Sequence, residues 1–153
     1  MTKTNALRIL DAEKIGYKVR EYDPEITDGE QVALTVNVSP DRTFKTLVTQ
    51  GNDLSFYVFV VPVNFKLDLK KAASAAGVKR VEMIKQKDLF SLTGYVHGGC
   101  SPIGMKKKFP TFLCDTATLF DSVCVSGGRK GLQIELDTED LIKAAEATVA
   151  DLI

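Results

Sequence analysis

The spacing of apolar residues along this chain switches several times between a helical period and the alternation of a strand. Leu7 and Leu10 follow a possible N-cap at Thr4 or Asn5, and two segments of alternating residues flank a turn at 50–53, which predicts a hairpin. Helices are predicted at residues 5–16, 27–34, 68–77, 86–92 and 137–152, and strands at 17–22, 43–49, 54–61, 78–84, 111–114, 122–126 and 131–136.

The order of these elements lacks the regular strand–helix alternation of a doubly wound sheet. Two hairpins and unevenly placed helices instead favour an α/β fold with a mixed, largely antiparallel, curled sheet and helices outside it. The last helix is expected to be amphipathic, with an inward face formed by Leu141, Ala145, Val149 and Leu152.

Composition is that of an ordinary globular protein, with 44% hydrophobic and 26% charged residues among 153, so one domain spanning 1–153 is expected. Twenty basic residues balance twenty acidic ones, and binding to a polyanion must therefore use a local patch. Lys106, Lys107 and Lys108 are the candidate patch, with a solvated turn as the alternative.

The N-terminus lacks the apolar core of a signal peptide, and the longest apolar run, 56–63, is too short to cross a membrane. Cys100, Cys114 and Cys124 form neither a closed disulfide set nor a metal-ligand spacing, and His97 is the single histidine. We therefore expect a reduced, cytoplasmic protein without a metal or another cofactor.

Two glycine-rich turns are the most informative segments of the chain. Residues 93–104 contain four glycines around a Gly-Gly-Cys-Ser-Pro-Ile-Gly stretch, and residues 126–131 read Ser-Gly-Gly-Arg-Lys-Gly. Such loops let bare backbone approach a ligand and direct N–H groups at one atom, which stabilises developing negative charge. A third segment, Phe-Lys-Thr-Leu-Val at 44–48, places a lysine in an apolar surrounding.

These three segments together resemble the YbaK/EbsC family, and the similarity extends over essentially the whole chain. Members are free-standing bacterial deacylases that hydrolyse mischarged Cys-tRNA(Pro), related to the editing domain of many prolyl-tRNA synthetases. The resemblance implies a barrel-like α/β domain and tRNA as substrate. It also makes prolyl-tRNA synthetase a candidate partner.

The resemblance also implies roles for individual residues. The lysine that the family requires falls on Lys45, although a lone strand lysine would otherwise be interpreted as exposed. Backbone N–H groups of Gly98, Gly99 and Cys100 would hold the ester oxygen as it gains charge, and bulk at Gly99 is expected to reduce turnover more than stability. The substrate-binding residues implied by the family are Tyr22, Thr46 and Ser126, and Gln133 is a further substrate-binding candidate in this chain.

Two positions depart from the family pattern. Asp28 stands where studied relatives carry a pocket phenylalanine, and Gln133 stands where they carry an aspartate. Both changes are expected to alter pocket polarity, which leaves open whether cysteine, alanine or another small amino acid is preferred.

Two other functions are compatible with the residues. Cys100 and His97 are three positions apart and could form a thiol–imidazole pair in a thiol-dependent hydrolase. A non-catalytic module that binds tRNA or a synthetase through the same loops is the other alternative.

In the family, the cysteinyl substrate is thought to use its own thiol as the nucleophile, releasing a cyclic thiolactone and free tRNA.

Overall fold

The computed structural model describes residues 2–153 and contains both helices and strands. The α-helices are α1 (Asn5–Ala12), α2 (Gly29–Thr35), α3 (Leu69–Ala76), α4 (Leu89–Thr93) and α5 (Thr138–Ala144). The strands are β1 (Lys18–Glu21), β2 (Phe44–Gly51), β3 (Phe56–Pro62), β4 (Val81–Met83), β5 (Thr111–Cys114), β6 (Ser122–Arg129), β7 (Leu132–Asp137) and β8 (Ala147–Ala150). Three short 3-10 turns precede β2, α4 and β6.

The strands form two sheets. One has the order β1-β7-β6 and is antiparallel throughout, while the other has the order β4-β2-β3-β5-β8. In the larger sheet β2 pairs antiparallel with β3 and β4, whereas β5 pairs parallel with β3 and β8. The prediction of a mixed, largely antiparallel α/β fold is confirmed. The barrel-like, curled sheet is not found, because the strands divide into two open sheets.

The two sheets meet at the start of β2. An isolated parallel bridge joins Thr43 to Cys124 of β6, and residues of β2 and β6 pack against each other beyond it. The Thr43 hydroxyl and backbone are buried there, and its carbonyl accepts a hydrogen bond from the Val63 N–H at 2.9 Å. This junction fixes the position of Lys45 and Thr46, which follow directly along β2.

Several elements begin and end where their sequence signals predicted. The Thr4 side chain accepts a hydrogen bond from the Leu7 N–H at 3.2 Å and caps α1. The Asp68 carboxylate accepts from two N–H groups at the start of α3, and Gly77 ends that helix with a φ of +74°. Strands β2 and β3 form the predicted hairpin.

The predicted final helix, 137–152, is wrong in its second half. Helix α5 ends at Ala144, Glu146 turns the chain with a φ of +51°, and β8 then pairs parallel with β5. Leu141 and Leu152 are buried as expected, but Val149 is 39% exposed. Pairing with β8 satisfies backbone hydrogen-bonding groups along that side of β5.

A charged cluster ties the smaller sheet to the turn before β2. Glu135 on β7 accepts hydrogen bonds from Arg20 and Arg42, each at 2.6 Å, and from the Ser122 hydroxyl at 2.8 Å. The Glu135 side chain is only 12% exposed. Hydrogen bonding from Arg42 is the main cause that lowers the pKa of Glu135 to about 2.

We expect Glu135→Gln to lower the free energy of unfolding by roughly 1–3 kcal/mol at pH 7, because both guanidinium groups lose their charged partner. The folded pKa lies below the ordinary value, so this stabilisation is present above about pH 4.5 and disappears as the pH falls towards about 2. Urea unfolding of both proteins across that range measures it. A difference that does not shrink in acid would contradict the assignment.

None of the helices within residues 2–153 is long and apolar enough to span a bilayer.

Candidate active site

A cleft of about 180 Å³ lies where the two sheets meet, between the start of β2, the loop before α2 and the two glycine-rich turns. It brings together most of the residues predicted to form the site, namely Tyr22, Lys45, Thr46, Gly98, Cys100, Ser126 and Gln133. His97 also lines it. Gly99 and the three lysines at 106–108 do not.

Lys45 is half-buried in the wall of this cleft. Burial is the main cause that lowers its pKa below the ordinary lysine value, while the nearby carboxylates of Asp28 and Glu30 raise it in part and Lys66 lowers it further. An ammonium in this position is only partly hydrated, so its attraction for a phosphate or a carbonyl oxygen is stronger than at the surface.

Two polar atoms in the cleft lack a partner. Within residues 2–153, Thr46 Oγ1 and Gln133 Oε1 are the buried side-chain atoms that make no hydrogen bond, and both residues line the cleft. Gln133 is 4% exposed. A buried polar group without a partner costs about 1–3 kcal/mol, so these two atoms are candidates for hydrogen bonding to a bound ligand.

The three backbone N–H groups predicted to act as donors in the first glycine-rich turn differ in their hydrogen bonding. The Gly99 N–H donates to the Val96 carbonyl at 2.9 Å and is therefore engaged in the turn itself. The N–H groups of Gly98 and Cys100 find no acceptor in the described part of the chain, and these are the two residues that line the cleft. Gly98 adopts a φ of +85°, a conformation that glycine accepts without strain.

Gly99 instead forms the contact between the two glycine-rich turns. A Cβ built on it would lie 2.6 Å from the Arg129 carbonyl carbon and 2.7 Å from the Lys130 nitrogen, both backbone atoms. A side chain would therefore push the turns apart. This changes the expectation for Gly99, whose substitution affects folding directly.

We accordingly expect Gly99→Val to lower the free energy of unfolding by roughly 2–4 kcal/mol and to reduce activity along with it. Chemical denaturation compared with single-turnover kinetics measures both losses. A stable Gly99→Val protein with no turnover would instead restore a direct role for this residue in the reaction.

The predicted thiol–imidazole pair is not supported by the geometry. Cys100 is buried, and its burial raises the pKa of the thiol to about 12, so the thiolate is scarce at neutral pH. His97 is exposed, and in the described structure no hydrogen bond joins it to Cys100. This environment indicates that Cys100 forms part of the wall of the cleft.

Asp28 acts mainly as a helix cap. Its carboxylate accepts a hydrogen bond from the Gln31 N–H at 3.2 Å at the start of α2, and the flanking residues Thr27 and Gly29, not Asp28 itself, line the cleft. The expected effect of Asp28 on pocket polarity is therefore indirect, through the charge that it places near Lys45. Gln133 does face the cleft, as expected.

Ser126 and Gln133 are cross-strand partners on β6 and β7, so the smaller sheet presents both to the cleft. The Ser126 hydroxyl accepts a hydrogen bond from the Gly128 N–H at 3.2 Å and shapes the second glycine-rich turn. The Tyr22 N–H donates to the Gly131 carbonyl at 2.9 Å, and burial raises the pKa of the Tyr22 hydroxyl.

The three lysines predicted to bind tRNA lie outside the cleft. Lys107 and Lys108 line a separate depression formed with α1 and the end of α5, and Lys108 pairs with Glu146 at 2.5 Å. Their role in tRNA binding stays a prediction.

Sequence reasoning did not assign the remaining residues that line the cleft, which are Thr27, Gly29, Val32, Thr43, Phe44, Leu47, Val63 and Leu89. Phe44 and Leu47 flank the Lys-Thr pair, so the strand pattern carried a signal for them. Leu89 begins α4 and reaches the cleft only through the tertiary fold, for which the sequence contains no local signal.

Known proteins resemble this chain in sequence and in fold. The sequence matches the aminoacyl-tRNA editing domain family over residues 23–144, and the chain belongs to that family. The prediction of an enzyme that edits aminoacyl-tRNA, made from the resemblance, is thereby confirmed.

Individual relatives are consistent with the assignment. EbsC of Enterococcus faecalis, proposed to be a Cys-tRNA(Pro)/Cys-tRNA(Cys) deacylase, is 45% identical over 98% of this chain and 93% of its own. A proline–tRNA ligase of Thermosipho africanus is 31% identical over 63% of this chain and 17% of its own, which confirms the predicted relation to that synthetase. The crystal structure of a proposed trans-editing enzyme for prolyl-tRNA synthetase superposes with a TM-score of 0.85 at 26% identity, covering 99% of this chain and 98% of that one.

Proposed function

We propose that this protein removes cysteine from mischarged tRNA(Pro) by cleaving the ester that joins the amino acid to the tRNA 3′ end. One observation carries the assignment: a small cleft holds two buried, unpartnered polar atoms, Thr46 Oγ1 and Gln133 Oε1, beside the half-buried Lys45 ammonium. The similarity to EbsC supports cysteine as the amino acid.

The volume of the cleft, about 180 Å³, suits a group of the size of a cysteinyl residue. In this proposal the terminal adenosine lies at the mouth of the cleft. Because Gln133 Oε1 can only accept a hydrogen bond, the group placed against it must donate one, as the substrate α-ammonium does.

The positive groups in the cleft suit the charge that develops during ester cleavage. As the carbonyl carbon becomes tetrahedral its oxygen gains negative charge, and the free N–H groups of Gly98 and Cys100 would donate hydrogen bonds to it, worth about 3 kcal/mol for each donor. Lys45 would bind the terminal phosphate or the ester carbonyl and hold the substrate in the reactive orientation.

The nucleophile is the thiol of the substrate. Its sulfur forms a bond to the carbonyl carbon of the same cysteinyl group, the bond from that carbon to the ribose oxygen breaks, and the thiol proton ends on that oxygen. The products are a cyclic thiolactone and uncharged tRNA. No protein nucleophile is needed, which agrees with the high pKa of the Cys100 thiol.

A deacylation panel of Cys-, Ala-, Pro- and Ser-charged tRNA(Pro) tests the function. We expect rapid ester release from Cys-tRNA(Pro) and slow release from the others. Tight binding without ester release would favour the non-catalytic module. Release that Cys100→Ala abolishes, without loss of stability, would favour the thiol-dependent hydrolase.

A further inference from the structure

We propose that a second groove, which shares α4 with the cleft as part of its wall, binds the tRNA acceptor arm where its unpaired 3′ end joins the stem. The cations of this groove, Arg80, Lys85 and Lys87, would contact the RNA phosphates. This inference rests on the proposed function, because it assumes a tRNA whose aminoacyl end occupies the cleft.

The groove has a volume of about 640 Å³, more than three times that of the cleft. The tip of the β2–β3 hairpin, strand β4 and the segment around α4 form its walls. The residues that line it are Gln50, Gly51, Asn52, Leu54, Phe56, Arg80, Glu82, Met83, Ile84, Lys85, Lys87, Asp88, Ser91 and Leu92. A groove of this size has room for a nucleotide.

The charges of the groove suit an RNA backbone. Arg80, Lys85 and Lys87 are exposed, and none of them forms an ion pair with another residue of the described chain. Two carboxylates, Glu82 and Asp88, line the same groove and leave it with a net positive charge. Exposed cations bind phosphates by releasing counterions, and the carboxylates can accept hydrogen bonds from ribose 2′-hydroxyl groups.

The groove is held in shape by backbone contacts. The Asn52 side-chain oxygen accepts hydrogen bonds from the N–H groups of Lys79 and Arg80 at 3.0 and 3.1 Å, and the Asn52 N–H donates to the Arg80 carbonyl at 3.0 Å. These bonds tie the hairpin tip to the start of β4. The Arg80 side chain therefore projects from a backbone that is held in place, which lowers the entropy lost on binding.

The cleft and the groove lie at opposite ends of strand β2. Strand β2 contributes Lys45 to the cleft and Gln50 to the groove, and five residues at a rise of about 3.4 Å place them about 17 Å apart. Stacked nucleotides also rise about 3.4 Å each, so an unpaired end about four nucleotides long spans most of this distance. Helix α4 forms a shared wall, with Leu89 on the cleft and Leu92 on the groove.

The test is the triple variant Arg80→Ala/Lys85→Ala/Lys87→Ala, assayed with two substrates. The first is Cys-tRNA(Pro), and the second is 3′-cysteinyl adenosine, which is too short to reach the groove. For Cys-tRNA(Pro) we expect KM to rise about tenfold or more and the log–log salt slope to fall in magnitude by about 2–3. With the adenosine ester, turnover should stay within about twofold of wild type.

A matched control removes the same charges elsewhere: Arg8→Ala/Lys18→Ala/Lys70→Ala, one arginine and two lysines that are exposed and form no ion pair in the described structure. This control should leave KM and the salt slope unchanged. The proposal is overturned if the groove triple behaves like this control, or if it slows the adenosine ester as much as the tRNA. It is also overturned if Lys106→Ala/Lys107→Ala/Lys108→Ala produces the whole salt effect.

Direct binding separates this proposal from the proposed function. The affinity of each triple variant for uncharged tRNA(Pro) is measured by fluorescence anisotropy at several salt concentrations. If wild-type protein cleaves neither ester, the proposed function fails. The groove assignment is then tested separately: it is supported if the groove triple alone weakens binding of uncharged tRNA(Pro) by about tenfold or more, and it is overturned otherwise.

Discussion

Lys45→Met is expected to lower kcat/KM for Cys-tRNA(Pro) by roughly 100- to 1000-fold while leaving the protein fully folded. Removing one preorganised electrostatic group from an active site typically has an effect of this size. Methionine keeps the apolar stem that packs in the cleft wall and deletes only the ammonium. Because burial lowers the pKa of Lys45, its charge is a net cost to folding, so the free energy of unfolding should stay equal or rise slightly.

Lys66→Met provides the matched control. Lys66 is exposed and lies close enough to lower the pKa of Lys45, but it does not line the cleft. We expect its kcat/KM to change by less than about threefold, because surface charges interact weakly through water. Single-turnover deacylation and urea unfolding of both variants measure the two effects. Turnover of Lys45→Met close to wild type, or a clear loss of its stability, would show that Lys45 is structural.

Local sequence signals correctly predicted those elements that depend on residues close together in the sequence. Asp68 and Gly77 bound α3 because a cap and a left-handed glycine act within one helical turn. The β2–β3 hairpin follows from two alternating segments and a tight turn. Strand β8 was missed because its pairing with β5 is parallel and distant in sequence, and residues 147–150 continue the apolar spacing of α5.

The barrel-like expectation came from the family resemblance, and no residue pattern could have tested it. Whether strands close into one sheet or divide into two depends on where pairing stops. Here pairing between the two sheets is limited to the single bridge at Thr43 and Cys124. Such an interruption depends on long-range packing, and the alternation of apolar and polar residues along one strand does not indicate it.

The candidate site was predicted in outline from two kinds of signal. The motif around Lys45 and Thr46 located the strand that contributes the cation, and the glycine content of 93–104 located the loop. The sequence could not show which backbone N–H groups of that loop are free and which are used within the turn. Only the hydrogen bond from the Gly99 N–H to Val96 shows that Gly99 is engaged in the turn while its two neighbours are free.

The difference between Cys- and Ser-tRNA(Pro) is the sharpest test of the mechanism, and we expect cysteine to be released at least about 1000-fold faster. The two esters differ by sulfur in place of oxygen. At neutral pH a thiol has a few per cent of reactive thiolate, whereas a hydroxyl has almost none. Differential binding alone cannot produce such a ratio, because an apolar pocket discriminates between near-isosteres by at most about 100-fold.

Methylating the substrate thiol distinguishes its role as the nucleophile from its contribution to binding in the cleft. S-methyl-cysteinyl-tRNA(Pro) should inhibit competitively but release no amino acid beyond the uncatalysed rate, because its sulfur cannot attack the carbonyl carbon. Cys100→Ala should retain wild-type turnover of Cys-tRNA(Pro), since the high pKa of that buried thiol keeps it protonated. Rapid release of serine or alanine would mean that water is the nucleophile. The unpaired oxygen of Gln133, which can accept a hydrogen bond from a water molecule, would then be the first group to examine as its anchor.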